Sequence, residues 1–262
     1  MSSLITLSDE QWALISDLLD PAGGRGVPAR YDRRLMAEAI LFLARTGCQW
    51  RYLPARYKPW AAVWKQWRRW RDHDVWRPAM LRLAALVRLA HGRKAIPSMV
   101  MIDAQTVRGG RAGPTFHSAG GRSGRTIGTK RTILVEILGL PVAARADPAK
   151  PHDVKVGRAF LSERLTDPDL GRVAAIVADR GYRGLARLAA RKSVNLDIKV
   201  PPAGKSGFMP LKPLVRVEHA FAQLGRWRRL SRCYEGSEAS ARAWLEVASV
   251  GYLFARMRVE PG

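Results

Sequence analysis

Acidic residues are scarce in this chain. Against 45 Lys and Arg stand only 22 Asp and Glu, a formal charge of +23 over 262 residues. Few ordinary soluble enzymes carry such a surplus. It predicts a polyanionic partner, with nucleic acid as the default and a merely basic protein, such as a ribosomal one, as the alternative. Cysteine is almost missing: Cys48 and Cys233 stand alone, which excludes a disulfide framework and a zinc motif and fits a reducing cytoplasm. No run of about 18 apolar residues is present, so no membrane span is expected. The start, "MSSLITLSDEQW", lacks the basic-then-apolar pattern of a signal peptide. A phosphate-binding loop is also absent. "PAGKS" at 202–206 needs a glycine at 199, where Lys199 stands, so ATP use is not indicated. His117 and His152 lack metal-ligand spacing.

Tryptophan is unevenly spread, with seven of the nine before residue 77. That front region has helical periodicity. Ser8 and Gln11 form a capping box ahead of "DEQWALISDLL". "DRRLMAEAILFLART" puts Leu35, Ala39, Phe42 and Leu43 on one face and stops at Gly47. "PWAAVWKQWRRWRDH" begins at Pro59, and "VWRPAMLRLAALVRLAHG" closes at Gly92. Beyond residue 96 the period shortens. "SMVMID", "RTILVEILG", "PVAARADPA", "RVAAIVAD" and "NLDIKVP" read as strands, with "LGLP" joining the second and third as a hairpin. "VGRAFLSERL" and "GLARLAARKS" read as helices between them, and from Leu214 the chain turns helical again. The expected organisation is α/β, with a mixed-sheet domain over 96–262 behind an all-helical domain over 1–95.

Two of the expected strands end in a carboxylate, Asp103 and Asp179, and functional groups gather where strands of an α/β sheet end. A third acid, Glu218, lies beside the buried stripe Val217, Phe221 and Leu224 of "VRVEHAFAQLGRW", where Ala222 and Gly225 leave room. Three carboxylates brought together repel one another and raise their pKa values, which a hard divalent cation relieves. Mg²⁺, with Mn²⁺ as an alternative, is the expected cofactor, and a phosphodiester is the expected substrate. Asp147 and Asp153 flank "PAKPH" and are read as turn residues rather than rivals for the site.

"MIDAQTV", "GTKRTILVEILGLPVA", "VADRGYRG" and "RVEHAFAQLGRWRRLSRCYE" resemble the core of bacterial insertion-sequence transposases, most nearly the insertion sequence five group of the DDE superfamily. The stretch from "RYDRRLMAEAILFLARTGCQW" to "KQWRRW" resembles the helical front of that group, so the likeness covers nearly the whole chain in order. The resemblance implies an RNase H-like catalytic domain. Asp103 is then the acid of the first strand, Asp179 of the fourth, and Glu218 of the helix after the fifth. Asp179 and Glu218 stand too close in sequence for the large insertion domain of some relatives. The tyrosine and lysine that flank the glutamate in related families have no counterpart here, position 225 being glycine. Arg216, Arg226 and Arg229 are nearby substitutes.

The resemblance implies an enzyme that binds the terminal inverted repeats of its element. It would cleave with a metal-activated water and pass the freed 3′-hydroxyl to target DNA. It would work as a homodimer or larger synaptic assembly, in the cytoplasm at the nucleoid. The expected duplex contacts are Arg51, Lys65, Arg68 and Arg69 on the tryptophan-rich front, and Arg122, Arg125 and Lys130 in the Gly- and Arg-rich loop over 109–130. Arg216, Arg226, Arg228 and Arg229 around and beyond Glu218 complete the set. The rivals are an RNase H-like nuclease without strand transfer, a non-catalytic repressor derived from a transposase, and a basic RNA-binding protein.

Overall fold

The computed structural model describes residues 6–21, 30–57, 59–110, 116–120, 124–200 and 211–257. The front is helical. Ser8 caps α1 (Asp9–Ala13) through a reciprocal capping box with Gln11, as the sequence predicts. The single helix expected there breaks at Ile15, whose φ of −133° and ψ of −2° leave the helical region, and resumes as α2 (Ser16–Leu19). Ile15 and Leu19 are both buried. α3 (Arg33–Thr46) starts on the Asp32 carboxylate, which accepts from the Arg34 and Leu35 N–H groups, and ends at Gly47 in the left-handed region. It is buried from Met36 to Ala44, more widely than one stripe, while Leu35, expected on the core face, is exposed. α4 (Trp60–Asp72) and α5 (Trp76–Ala90) complete the front.

The rest is a mixed sheet with helices. β1 (Met99–Arg108), β2 (Ser118–Gly120), β3 (Thr126–Glu136) and β4 (Pro141–Pro148) precede α6 (Asp153–Arg164). β5 (Ala175–Asp179), α7 (Ala186–Arg191), β6 (Asn195–Lys199), α8 (Val215–Gly225) and α9 (Glu238–Met257) follow. The path across the sheet is β2-β3-β1-β5-β6, with β4 also on the outer edge of β3. β1, β2 and β4 run antiparallel to β3, whereas β5 runs parallel to β1 and β6 parallel to β5. The hairpin expected at "LGLP" is present, with Gly139 at φ +84°.

Two strand readings need correction. β1 does not end at Asp103 but continues to Arg108, because the first half of β3 pairs with it out to Arg108↔Gly128. A Cβ at Gly128 would collide with the carbonyl of Val107, so the close approach of the two strands requires glycine there. And the span 109–130 is not all loop: β2 and the first residues of β3 lie in it, pairing Ser118 with Gly128 and Gly120 with Thr126.

One hydrophobic core runs from Leu7 to Phe254, crossing the 91–97 turn between α5 and β1. Its centre is aromatic. Trp67 of α4 stacks on Trp244 of α9 with ring centroids 5.0 Å apart, and Trp50 meets both rings at 5.8 and 6.0 Å. Trp70 meets Trp76 edge-on at 5.7 Å, and its indole N–H donates to the Leu19 carbonyl at 3.0 Å. No helix among the described residues is long and apolar enough to cross a membrane.

Candidate active site

Asp103 and Asp179 sit on neighbouring parallel strands. Their ladder runs Met99↔Ala175, Val100↔Ile176, Met101↔Val177. Continued for two residues, that register sets Asp103 abreast of Asp179, with both side chains on one face of the sheet. The paired stretch stops short of the aspartates. Asp179 ends β5 and caps the 3₁₀ turn Arg180–Leu185, its Oδ1 accepting from the Gly181 N–H at 2.8 Å. Asp103 Oδ1 accepts from its neighbour's amide, Ala104 N–H, at 2.8 Å. α8 packs across β1 and β3 and carries Glu218 on its first turn. Val217, Ala220 and Leu224 of that helix are buried and Phe221 is half-buried, which leaves Glu218 exposed at the edge of the stripe as expected.

The Asp103 carboxyl is pushed up to about 7, chiefly by burial and further by the fields of Asp179, Asp153 and Glu218, while the Ala104 N–H works in the opposite direction. So the three expected acids share one electrostatic neighbourhood, and a fourth, Asp153, shares it with them. Asp153 opens α6 as a first-turn acid and pairs with the Lys130 ammonium. Its reading as a turn residue is therefore incomplete. The signal that it belongs near the site is long-range: Thr106 of β1 faces Lys130 of β3, and that lysine reaches Asp153.

Carboxylate oxygens are the hard donors that Mg²⁺ or Mn²⁺ accepts, and an acid whose charged form is disfavoured by burial and like charges is one that a cation would relieve. On donor chemistry the residues fit a divalent ion. Among the described residues, however, no group of three or more Asp, Glu, His or Cys side chains is arranged to hold one ion. The acids are gathered without forming a closed ligand set.

The expected DNA contacts fall into distinct groups. Lys65, Arg68 and Arg69 lie exposed along α4, opposite the buried Trp67 and Trp70. Arg51 is exposed in a 3₁₀ turn, 5.7 Å over the ring of Trp60, and Arg68 lies 4.9 Å over Trp64. Arg71, which returns to the tryptophan face, lies 5.3 Å over Trp67 and donates to Ser240 Oγ at 2.9 Å. Arg125, Arg216, Arg226 and Arg228 are exposed. Arg122 lies outside the described residues.

Lys130 and Arg229 are corrected in place. Lys130 is not in a solvent-facing loop but buried on β3, its ammonium held by Asp153 and by the Pro151 carbonyl. Arg229 is not on the helix of Glu218. That helix stops at Gly225, and a short 3₁₀ turn, Arg228–Leu230, follows. There the Arg229 guanidinium lies 4.9 Å over Trp244 and its Nε donates to Glu235 at 3.1 Å. Arg229→Ala is therefore expected to lower stability by roughly 2 kcal/mol, by unpairing a largely buried Glu235. Arg69→Ala should leave the melting temperature unchanged. Thermal denaturation of the two variants side by side checks the contrast.

Comparison with known proteins shows which family the chain belongs to. Residues 7–80 match the family described as "Putative transposase of IS4/5 family", and residues 94–208 match the "Transposase DDE domain". The second match spans Asp103 and Asp179 and ends before Glu218. The chain is 33% identical over 117 residues to the uncharacterized protein y4sN of Sinorhizobium fredii, covering 44% of this chain and 82% of that protein. It is also 33% identical over 113 residues to the insertion element IS402 uncharacterized 16.2 kDa protein of Burkholderia cepacia, covering 41% of this chain and 76% of the relative. No solved structure matches the chain significantly. With the two family matches following one another along the chain and an insertion-element protein among its relatives, the chain belongs to the DDE transposases of insertion sequences.

Proposed function

We propose that this transposase binds the terminal inverted repeats of its element, cuts the ends with a divalent ion, and transfers the freed 3′-hydroxyl groups to target DNA. The observation that supports the reading is the pair Asp103 and Asp179 on the adjacent parallel strands β1 and β5, two residues beyond their paired stretch, with the helix of Glu218 packed across β1 and β3. The sheet supports an RNase H-like core. Its antiparallel β4-β3-β1 half continues into parallel β5 and β6, and the three acids come from the first strand, the parallel strand beside it and the helix that packs across β1 and β3.

In this reading Asp103, Asp179 and Glu218 are the ligands. A bound Mg²⁺ or Mn²⁺ supplies Lewis-acid activation of the attacking oxygen and stabilisation of the leaving one. The chain's own part is to hold the acids. The Ala104 N–H fixes one oxygen of Asp103, the Gly181 N–H fixes one oxygen of Asp179, and α8 delivers Glu218 from the neighbouring layer. No serine or tyrosine nucleophile is required, since a hydroxyl of water or DNA attacks directly.

The basic face of α4 and the cations around α8 serve the duplex, with residues 1–95 mainly engaging the ends and 96–262 mainly cutting. Joining two ends calls for at least two copies of the chain. Affinity for duplex DNA is expected to fall about a thousandfold or more between 50 and 200 mM salt if six or more phosphates are neutralised. Arg69→Ala should weaken end binding and lower the log–log salt slope by about 1. Fluorescence anisotropy across a salt series measures both. Joining of element-end DNA to a plasmid in Mg²⁺ tests the reaction itself. Cut ends without joined product would favour the nuclease, and binding without cutting would favour the repressor.

A further inference from the structure

None of the cations so far assigned to DNA lies on α6 or α7, yet a separate basic group starts at the residue after Asp179. From Arg180 to Lys192 the chain holds five cations and no acid. Tyr182, Leu185, Leu188 and Ala189 form the buried side of the 3₁₀ turn and of α7. Arg180, Arg183, Arg187 and Arg191 fall on the opposite side and are exposed. α6 extends this surface. A Cβ on Gly184 of the turn would lie 2.8 Å from Val154 Cγ1, so α6 comes against the turn there. Arg158 of α6 donates to the Gly184 carbonyl at 3.0 Å, and Lys155, beside Val154, is exposed. Among the described residues none of these six cations is in an ion pair, and the acids of the neighbouring elements are taken. Asp153 is held by Lys130, Glu163 by Arg145 and Arg164, and Asp197 by Lys199. Elsewhere the fold pairs exposed and half-buried arginines with acids, as at Arg77, Arg82 and Arg242. A row of like charges left uncompensated repels itself and attracts a polyanion.

We propose that the exposed face of the Arg180–Leu185 turn and α7, with Lys155 and Arg158 of α6, binds a second duplex, the target DNA, while the front helices hold the element end. The inference rests on the strand-transfer reading above and adds a surface outside the contacts assigned there. Two basic surfaces stand on different sets of elements. α4 packs against α3 and α9, whereas the turn packs against α6 and β6, and α7 against β6. Passing an end into a target brings two duplexes to one metal site, so each needs its own track. The second track begins where the chemistry is expected, because Arg180 follows Asp179 directly. With six 3₁₀ residues and six helical ones, the row is roughly 20 Å long, the reach of about six phosphates along one strand. Arginines on such a row meet phosphates and not base edges, which suits a target bound with little regard to sequence.

The test compares the wild-type chain with the double variant Arg183→Ala/Arg187→Ala, whose side chains are exposed and leave Arg180 beside Asp179 in place. Each protein is saturated with unlabelled element-end duplex. A labelled duplex of unrelated sequence is then titrated in and followed by fluorescence anisotropy, which needs neither metal nor cleavage. The wild type should bind this second duplex. The double variant should bind it about tenfold or more weakly, with a log–log salt slope lower by about 2. Its melting temperature and its affinity for the element end should match the wild type. With Mg²⁺, joining of pre-cut ends should fall at low plasmid concentration and recover at high concentration. Equal binding of the second duplex by both proteins would overturn the proposal. So would a matching loss of end binding, since the face would then hold the element's own end, and so would tighter binding of an RNA duplex than of DNA. A wild type that binds the second duplex through these arginines and yet joins nothing would sink the strand-transfer reading instead, with the duplex-binding surface upheld.

Discussion

Asp103→Asn is expected to abolish cleavage and strand transfer, by several orders of magnitude in rate, while leaving end binding and the fold in place. The amide keeps the shape and still accepts the Ala104 N–H, but it is neutral and a poor ligand for a hard cation. The same variant should gain stability in metal-free buffer. The folded-state value of about 7 lies above the ordinary 3.8, so the native protein holds this proton more tightly than the unfolded chain. The stability tied to that proton is fully present below about pH 4 and is lost as pH rises to about 7. Asparagine has nothing to titrate. Its advantage over the wild type should grow across that window and level off above it, at on the order of 1–4 kcal/mol. Adding Mg²⁺ or Mn²⁺ at pH 8 should stabilise the wild type and not the variant. Melting curves at pH 5 and 8, with and without the ion, give the four values needed. A wild type that melts identically with and without the ion, and no better after the substitution, would contradict the account.

Arg88→Ala is expected to be the most destabilising single change away from the acids. Arg88 is 5% exposed on α5 and pairs with Glu136, which is fully buried at the end of β3. The pair is tied at both ends. Arg88 Nε donates to the carbonyls of Lys94 at 2.9 Å and Ala95 at 3.1 Å, and Glu136 Oε1 accepts from the N–H groups of Leu138 and Leu140. One ion pair thus fastens the 91–97 turn to the β3–β4 hairpin. Removing the arginine leaves a carboxylate in the core with no counter-charge, at a cost of about 3–5 kcal/mol. Glu136→Gln should cost less, because its amide oxygen still accepts from the hairpin and carries no net charge. Chemical denaturation of both singles and the double variant isolates the coupling between the two side chains. Additive losses would mean that the pair does not link the turn to the hairpin.

What was legible in the sequence was what local chemistry decides. Ser8 with Gln11, the stops at Gly47 and Gly92, and the hairpin at Gly139 each depend on a few adjacent residues and stand as read. The alternation from helical to short-period pattern located the sheet and two strand carboxylates. What was not legible depends on partners distant in the chain. Residues 104–108 look polar enough for a loop, and only pairing with β3 makes them strand. Lys130 looks like one more cation of a basic loop, yet β3 carries it inward to Asp153. Arg229 looks like a neighbour of Glu218, yet the helix ends first and Trp244 and Glu235 take its guanidinium. Charge counts show that cations are in excess, but not which of them the fold has already paired.

The central claim is that Asp103, Asp179 and Glu218 form one metal site on DNA. A crystal structure of the chain with element-end duplex and Mn²⁺, read by anomalous scattering, tests it most directly. The account predicts manganese between Asp103 and Asp179 with Glu218 turned in to complete the site and the end phosphate on the metal. Manganese bound elsewhere, or Glu218 pointing away from both aspartates with DNA in place, would contradict it.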